Sequence, residues 1–395
     1  MHTAICDSIY SLNERKDYEM DRLLELREKL DKIDEEIIKL YLERMDICGQ
    51  VGDYKVETGK KVLDKKREAE KLKDVSNRVA SEFDKKGIQE IFSQLMSLSR
   101  KLQVQKLALK GATNQLPFTT IKELNKKNGT VVYQGIEGSY GQEALKQFFS
   151  EGSESDHVST FRDAMKAVAE GIADYAILPI ENSSMGSVRE VYDLWDEFEN
   201  TIVAEQVILI DHVLAGLPGT DLKQVERVYS KAEALMQTSK YLEKHNHWQQ
   251  ISVANTAVAA KKVAEDHDST QAVVCSAYAA KVYGLDILAN KINNEENNYT
   301  RFIVITNQKV YLESANKISI CFELSNESGS LYHLLSHFTY NNLNMTKIES
   351  RPIEGRTWEY RFFVDFDGNL SDSDVITALR GLDEEAKNLK ILGNY

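Results

Sequence analysis

Apolar residues recur at alternating steps of three and four along the first hundred residues. The longest such stripe runs from Leu23 through Leu30, Ile37 and Leu40 to Tyr54. This spacing places side chains on one face of a helix. Glycines in VETGKK and DKKGIQ predict the loops between helices. The pattern therefore predicts three helices, over roughly 19–57, 64–84 and 88–108.

A charged residue interrupts the first stripe, because Arg44 follows Leu40 and precedes Ile47 on the same face. A buried guanidinium costs several kcal/mol unless a partner or ligand meets it. Two interpretations stay open at this point: a side chain that extends its head to water, or a site for an anion. The first helix would be about 57 Å long, too long for a monomeric core of ninety residues to cover. Its stripe predicts an intertwined helical dimer.

After the first proline, Pro117, short β-like runs alternate with helical runs up to about residue 308. This alternation is typical of an α/β domain. From Lys317 onward the order becomes strand, helix, strand, strand, helix, strand, which predicts a ferredoxin-like α+β domain. The fold class is therefore multidomain, and the predicted segments are 19–108 (all-α), 109–128 (linker), 129–308 (α/β, two-lobed) and 316–395 (ferredoxin-like).

Composition indicates a globular protein, with 42% hydrophobic and 28% charged residues among 395. A formal charge of −13 argues against broad binding of nucleic acid or anionic membrane. Any anionic substrate would have to be attracted by local basic residues. The sequence contains neither a signal-peptide pattern nor an apolar run long enough to span a bilayer. We therefore expect a cytoplasmic location, with reduced cysteines and no membrane or nucleic-acid partner.

Several polar residues lie beside the helical stripes. Taken singly, each has a structural explanation, such as Asp64 as a helix N-cap or the others as solvated flanks. Taken together with Arg44, they predict a cationic pocket between helices. The full set is Arg27, Arg44, Lys55, Asp64, Arg67, Glu68, Ser99 and Gln103.

The run LLELREKLDKIDEEIIKLYLERMDICGQVGDYK, followed by LDKKRE and SxxxQ, resembles an all-helical chorismate mutase over residues 20–105. The resemblance implies that all eight positions serve the site, with Arg27 supplied by the partner subunit. It also implies that Lys55 and Gln103 donate to the ether oxygen of chorismate, while Asp64 and Glu68 fix the ring hydroxyl and nearby cations. Chorismate is a dianion, which suits forked guanidinium donors.

Four stretches stand out in the α/β segment: YQGIEGSYGQEA, ILPIENSSMGS, SKAEALMQ and NNYTRF. Asn182, Ser183 and Ser184 follow an apolar strand and precede a predicted helix. They could form an anion site at its N-terminus or serve as ordinary caps. The glycine-rich stretch lacks GxGxxG, so a dinucleotide site is not predicted.

In this order the four stretches resemble prephenate dehydratase over about 131–306, and TRF is the most specific element. The resemblance implies that Thr300 is the catalytic threonine, a general acid or strong donor to the departing hydroxyl. Two departures appear: GIEG stands where many members have a proline, and Asn255 replaces a common serine. No metal or organic cofactor is implied. The implied substrate-site residues are Asn182, Ser183, Ser230, Gln237, Thr256, Arg301 and Phe302.

The C-terminal segment resembles an ACT domain, a small amino-acid-sensing domain. ESGSLYHLLSHF and TKIESRP match the phenylalanine-sensing motifs of such dehydratases, with Ser328 and Ser330 as departures in the turn. The resemblance implies phenylalanine as the effector, bound at a subunit interface. The implied effector-binding residues are Gly329, Ser330, Leu331, Glu349, Ser350, Arg351 and Pro352.

Together these resemblances predict a bifunctional enzyme that converts chorismate to prephenate and prephenate to phenylpyruvate. Feedback inhibition by phenylalanine and assembly as a homodimer or homotetramer are implied with it. Two alternatives stay open: a dehydratase that prefers arogenate, and a non-catalytic amino-acid sensor.

Overall fold

The computed structural model describes residues 2–109, 116–127, 129–149, 153–324 and 326–395, with side chains from residue 22 onward except 108 and 109. The chain divides into two compact units. The first contains the helices before residue 110 together with Ile376–Glu385, and the second contains the rest. Within the described ranges, no helix is long and apolar enough to cross a membrane.

Three helices build the first unit, as predicted, but three of their boundaries differ: the start of the first helix, the end of the second and the start of the third. They are α1 (His2–Thr58), α2 (Lys65–Ser76) and α3 (Glu82–Leu109). The second helix ends eight residues before the predicted end at 84, because α3 already begins at Glu82. The Ser81 hydroxyl accepts a bond from the Asp84 amide there, which is an N-cap that the glycine signal obscured. Gly87 therefore lies inside α3, whereas Gly59 ends α1 with a positive φ of 67°.

The apolar stripe of α1 is exposed along its first half. Leu30, Ile37 and Leu40 are 58%, 57% and 62% exposed in the single chain. The second half of α1 packs on α3, where Gly52 lies so close to Gln103 that a Cβ would come within 3.1 Å of its side chain. A row of exposed leucines and isoleucines of this length is unusual for a monomer surface.

The second unit begins with an α/β lobe. Its elements are β1 (Thr119–Ile121), β2 (Thr130–Gln134), α4 (Tyr140–Phe148), β3 (Glu154–Val158), α5 (Phe161–Ala169), β4 (Tyr175–Asn182), β5 (Gly186–Ser187), α6 (Arg189–Asp193) and β6 (Thr201–Leu209). Residues 110–115 and 128 of the predicted linker lie outside the described residues. Its later part belongs to this lobe, since β1 pairs with a strand and Leu124 is buried in the lobe's core.

A second α/β lobe is inserted between β6 and a returning strand. Its elements are β7 (His212–Gly216), β8 (Arg227–Ser230), α7 (Ala232–Gln237), α8 (Ser239–Leu242), β9 (Gln249–Ser252), α9 (Thr256–Asp266), β10 (Gln271–Ser276), α10 (Ala277–Val282) and β11 (Asp286–Ala289). The chain then returns through β12 (Tyr299–Thr306) and β13 (Val310–Leu312). Strand β12 lies between β4 and β6. The chain enters the second lobe after Leu209, at the end of β6, and leaves it before Tyr299, at the start of β12. These two residues are paired, so both crossings between the lobes lie side by side.

The C-terminal segment follows the predicted order of elements. These are β14 (Lys317–Glu323), α11 (Ser330–Tyr340), β15 (Met345–Pro352), β16 (Tyr360–Asp367), α12 (Ser373–Glu385) and β17 (Lys387–Asn394). Its strands lie in the order β15-β16-β14-β17 and continue directly into β6 of the first lobe. Gly393 makes this junction possible, because any Cβ there would overlap the Ile202 carbonyl. One core is shared across the junction, and Phe363 and Leu392 pack in the same buried cluster as Trp195 and Ile303.

Candidate active sites

Arg44 binds the third helix and does not extend its head into water. Its Nη1 donates to the Ser99 hydroxyl at 2.6 Å and to the Leu95 carbonyl at 3.0 Å. Ser99 is buried and itself donates to the Leu95 carbonyl. One face of the guanidinium is thereby fixed between α1 and α3, which orients the remaining donors.

Two more predicted positions lie farther along the same helices, Lys55 on α1 and Gln103 on α3. Lys55 donates to the Val62 carbonyl at 2.6 Å, so its ammonium is held at the start of the loop into α2. Gln103 is 6% exposed, and its Oε1 is buried without a hydrogen-bond partner among the described residues. A buried amide oxygen without a partner carries a desolvation cost that a ligand donor would relieve. Arg44, Ser99 and Gln103 thus occupy the α1–α3 interface, and Lys55 lies at the end of α1.

The α2 residues have local partners. Asp64 is the N-cap of α2 and accepts a bond from the Arg67 amide at 3.0 Å, as its structural interpretation predicts. The Arg67 side chain is exposed. Glu68 accepts from Arg100 at 2.6 Å, so Arg100, which the sequence did not single out, neutralises this carboxylate.

Arg27 is not brought to the other seven positions. It is exposed on the first half of α1, and seventeen residues of helix separate it from Arg44 by about 25 Å. A single copy of the chain therefore leaves this position outside the cluster.

A cavity of about 530 Å³ opens between the two lobes of the second unit. The first lobe contributes Tyr140, Asn182 and Arg189 to its lining, and the second contributes His212, Lys231 and Gln237. Strand β12 contributes Thr300 and Phe302. The cavity lies beside β12 because the chain crosses between the two lobes there, and sites at such boundaries are common for small ligands.

Thr300 is held rigidly at this cleft. It is buried, and its backbone is paired with β4 on one side and β6 on the other. Asn182 Nδ2 donates to the Thr300 hydroxyl oxygen at 2.9 Å. Because that oxygen accepts from the amide, its own hydrogen stays available for an acceptor in the cavity. The Asn182 amide would also stabilise negative charge on the oxygen.

The predicted anion site at a helix N-terminus is not present at 182–184. The Asn182 side chain accepts from the amides of Ser184 and Met185, forming a turn into the short strand β5. The helix that follows begins only at Arg189, and its N-cap position makes no side-chain bond. Asn and Ser favour both helix caps and turns, and here Asn182 stabilises a turn.

Three residues of the predicted substrate site do not line the cavity. Ser183 contacts the backbone at Asn297 and Tyr299, and Ser230 is fully buried with its hydroxyl bound to the Val274 carbonyl. Arg301 points to the opposite face of β12, because neighbouring residues of a strand alternate in direction. It binds Asp365 at 2.9 Å and so joins β12 to the C-terminal sheet.

Two residues missed by the sequence complete the cleft around Gln237. His212 is 2% exposed, and its ring nitrogens lie 3.0 Å from the Tyr140 hydroxyl and 3.1 Å from Gln237 Oε1. Burial lowers the pKa of His212, with Gln237 and Asp211 opposing the shift, so the neutral ring is favoured. Burial also raises the pKa of Tyr140 well above its ordinary value, which keeps its hydroxyl protonated.

Helix α9 faces the same cavity. Thr256 is its first residue, and Asn255 caps it by accepting from the Val258 amide at 2.8 Å. The departure at position 255 therefore preserves a capping side chain. Opposite charges also line the cleft: Arg189 beside Glu190 in the first lobe, and Lys231 paired with Glu233 at 3.2 Å in the second.

A second cavity, of about 350 Å³, lies in the C-terminal segment. Gly329, Ser330 and Leu331 line it, together with Trp358 and Phe362. Gly329 has a φ of 82°, which only glycine adopts without strain.

The other half of the predicted effector motif does not line this cavity. Glu349 accepts from Ser187, a lining residue of the interlobe cleft, at 2.7 Å, and Arg351 pairs with Asp193 of α6. Ser350 and Pro352 are exposed on the other face of the same edge strand. The two motif halves are therefore not joined within one chain.

A helical unit with an arginine-centred cluster and a two-lobed α/β unit with a hydroxyl-bearing cleft define a class of two-site enzymes. Comparison with known families also assigns an enzyme family to each of the two units. A chorismate mutase type II family model matches residues 26–104, and a prephenate dehydratase model matches residues 131–310. The chain belongs to the bifunctional chorismate mutase/prephenate dehydratase family, as full-length relatives show.

One relative, from Escherichia coli (strain K12), is 31% identical over 94% of this chain and 96% of its own length. Another, from Aquifex aeolicus, is 32% identical over 95% of this chain and 98% of its own length. Both are bifunctional chorismate mutase/prephenate dehydratases. A prephenate dehydratase from Arthrobacter aurescens, solved in complex with L-Phe, is 29% identical, with a TM-score of 0.63 over 67% of this chain and 89% of that one.

Proposed function

We propose that this protein catalyses two consecutive steps, chorismate to prephenate in the helical unit and prephenate to phenylpyruvate in the interlobe cleft. The contact between Asn182 and the Thr300 hydroxyl, facing the cavity, is the observation that carries the second step. A coupled assay with chorismate and then prephenate tests both steps. Absence of turnover would favour the alternative of a non-catalytic amino-acid sensor.

The first reaction is an intramolecular rearrangement without proton transfer, so the site can contribute only positioning and electrostatic stabilisation. Arg44, oriented by Ser99, would bind a substrate carboxylate. Lys55 and the Gln103 amide group would donate to the ether oxygen as its bond to carbon breaks and negative charge develops. The unpartnered, buried Gln103 Oε1 is an acceptor, so it supports a ligand that also brings a hydrogen-bond donor such as a hydroxyl.

The site also requires a second copy of the chain. The exposed stripe of α1 and the isolation of Arg27 both support an intertwined dimer, in which Arg27 enters the partner's cluster. Such pairing buries the leucines and isoleucines that a single chain leaves in water.

Ile37→Glu should lower chorismate turnover by about 10²-fold or more, because a charge on the stripe opposes helix pairing. Prephenate turnover should change little. Leu42→Glu is the matched control, since Leu42 is equally exposed but lies off the stripe. Both activities and the oligomeric state by light scattering decide the outcome. Normal mutase activity in the Ile37 variant would refute the paired-helix site.

In the second reaction, the ring carboxylate leaves as CO2 and its bonding electrons aromatise the ring as the hydroxyl departs. Hydroxide is a poor leaving group, so a proton or strong hydrogen bond must meet it. The Thr300 hydroxyl is placed to donate, and Asn182 stabilises the charge that results. The pKa of an ordinary threonine is too high for easy proton release, so electrostatic support carries much of the barrier.

Arogenate is a second candidate substrate, because Glu190 and Glu233 line the cleft beside the two cations. A carboxylate can bind the ammonium group that arogenate has and prephenate lacks. Comparing kcat/KM for the two substrates in the purified chain separates these candidates.

We further propose that the C-terminal segment is an ACT domain that binds phenylalanine. Its strand order, β15-β16-β14-β17, supports a ferredoxin-like sheet. The separation of the two motif halves supports a site completed by another subunit. The edge strand β15 links the motif to the cleft, through Glu349 and Lys347, which both bind the Ser187 hydroxyl.

Phenylalanine should inhibit prephenate turnover more than tyrosine does, and Lys347→Met should weaken that inhibition by several-fold. The expected coupling is about 1–3 kcal/mol, and Lys347 transmits part of it by holding Ser187 and Glu181. Lys347 lies in the matched TKIESRP stretch but is not one of the implied effector-binding residues, and it does not line the cleft, so basal activity should persist. Lys387→Met, an exposed lysine of the same sheet, is the control.

Titration of phenylalanine against activity, with binding measured by calorimetry, checks the coupling. Equal inhibition of the Lys347 variant and the unaltered chain would show that this contact does not transmit the signal.

A further inference from the structure

A chain of three polar side chains crosses the interlobe cleft, and the proposed chemistry has not used it. Tyr140 comes from the start of α4 in the first lobe, His212 begins the first strand of the second lobe, and Gln237 ends α7. The Tyr140 hydroxyl lies 3.0 Å from His212 Nδ1, and His212 Nε2 lies 3.1 Å from Gln237 Oε1.

The distances select one arrangement of hydrogens. If His212 Nε2 carries the proton, it donates to Gln237 Oε1, and Nδ1 accepts from the Tyr140 hydroxyl at 3.0 Å. The opposite tautomer would leave the Tyr140 hydrogen only the Asp211 carbonyl, at 3.5 Å, and would turn the Gln237 amide nitrogen toward the ring. The first arrangement forms two good bonds and leaves both N–H groups of Gln237 unused by the histidine.

Further hydrogen bonds hold the backbone of His212 and Gln237 in place. The His212 amide donates to Asn293 Oδ1 at 3.0 Å, and Asn293 in turn donates to the Ile210 carbonyl. The Gln237 carbonyl accepts from the Asn294 amide at 2.7 Å. Residues 293 and 294 lie on the second crossing between the lobes, so both ends of the His212–Gln237 contact are attached to the same segment.

We propose that His212 is a positioning residue for the dehydratase: held by Tyr140, it fixes the Gln237 side chain so that its amide N–H groups donate into the cleft to a substrate carboxylate or hydroxyl. Tyr140 belongs to one lobe and Gln237 to the other. The hydrogen bonds through His212 therefore orient the Gln237 side-chain amide when the two lobes are correctly placed. The inference depends on the proposed dehydratase function.

Tyr140→Phe tests this with little disturbance of packing. Without the tyrosine hydroxyl, His212 can adopt the other tautomer and Gln237 can turn its oxygen toward the substrate. We expect the KM for prephenate to rise roughly 5- to 10-fold, the value of one hydrogen bond, with kcat changed less. Tyr283→Phe is the matched control, because its hydroxyl also joins the lobes, at the Glu137 carbonyl, but forms no hydrogen bond with a histidine within the described part of the chain.

A double-mutant cycle with Gln237→Ala separates positioning from a structural role. If Tyr140 acts through Gln237, adding Tyr140→Phe to Gln237→Ala should have no further effect on kcat/KM. Additive losses, an unchanged KM in Tyr140→Phe, or an equal loss in Tyr283→Phe would each overturn the inference. Failure of the unaltered chain to convert prephenate would instead overturn the proposed function.

Discussion

Thr300→Val should reduce the kcat for prephenate by about 10²-fold or more while changing KM less. The substitution keeps the shape of the side chain and its β-branched backbone preference, but removes the hydroxyl that Asn182 polarises. It also leaves the Asn182 amide without this acceptor. Chorismate turnover, in the other unit, should stay within a few-fold. Steady-state kinetics with each substrate measure both effects.

Thr300→Ser should retain most of the activity, because the hydroxyl is preserved. Thr306→Val is the positional control, since Thr306 is a buried threonine on the same strand that does not line the cleft. A near-normal kcat in Thr300→Val would rule out a role for this hydroxyl in the departure of the leaving group.

Arg44→Ala should abolish chorismate turnover to within the limits of the assay, a loss of at least about 10²-fold. The guanidinium is fixed by Ser99 and the Leu95 carbonyl, so its other donors cannot be replaced by a neighbouring side chain without rearrangement. Prephenate turnover should remain within a few-fold, because Thr300 and its cleft belong to the second unit.

Arg78→Ala, which removes a surface ion pair with Asp74 in the same unit, should leave both activities intact. Because Arg44 also joins two helices, thermal unfolding of the variant must be compared with that of the unaltered chain. Loss of both activities in a folded Arg44 variant would show that the two sites depend on each other.

Periodic features of the sequence predicted the helices and the order of strands well. The site residues implied by the family motifs do not all line the cleft, because adjacent residues of a strand point to opposite faces. Thr300 and Arg301 are adjacent in TRF, yet one faces the cleft and the other faces Asp365 of the C-terminal sheet. The alternation of strand side chains would have predicted this difference.

Other site residues could not be predicted from the residues next to them in the sequence. Tyr140 and His212 are far apart in sequence and meet only because the chain crosses twice between lobes. The family resemblance implies a substrate-site role for Ser230, whereas its buried hydroxyl donates to the Val274 carbonyl. Arg27 illustrates a third limit, since the surroundings proposed for it belong to a second copy of the chain.

The continuous sheet through Gly393 has a consequence for how this protein could be recombined with others. A chain ending near residue 312 would lose Phe363 and Leu392 from the core that encloses Trp195, and Ile202 at the edge of β6 would lose its partner Gly393. An unpaired edge beside exposed apolar side chains promotes aggregation. The C-terminal segment is therefore not a module that can be removed by ending the chain at residue 312.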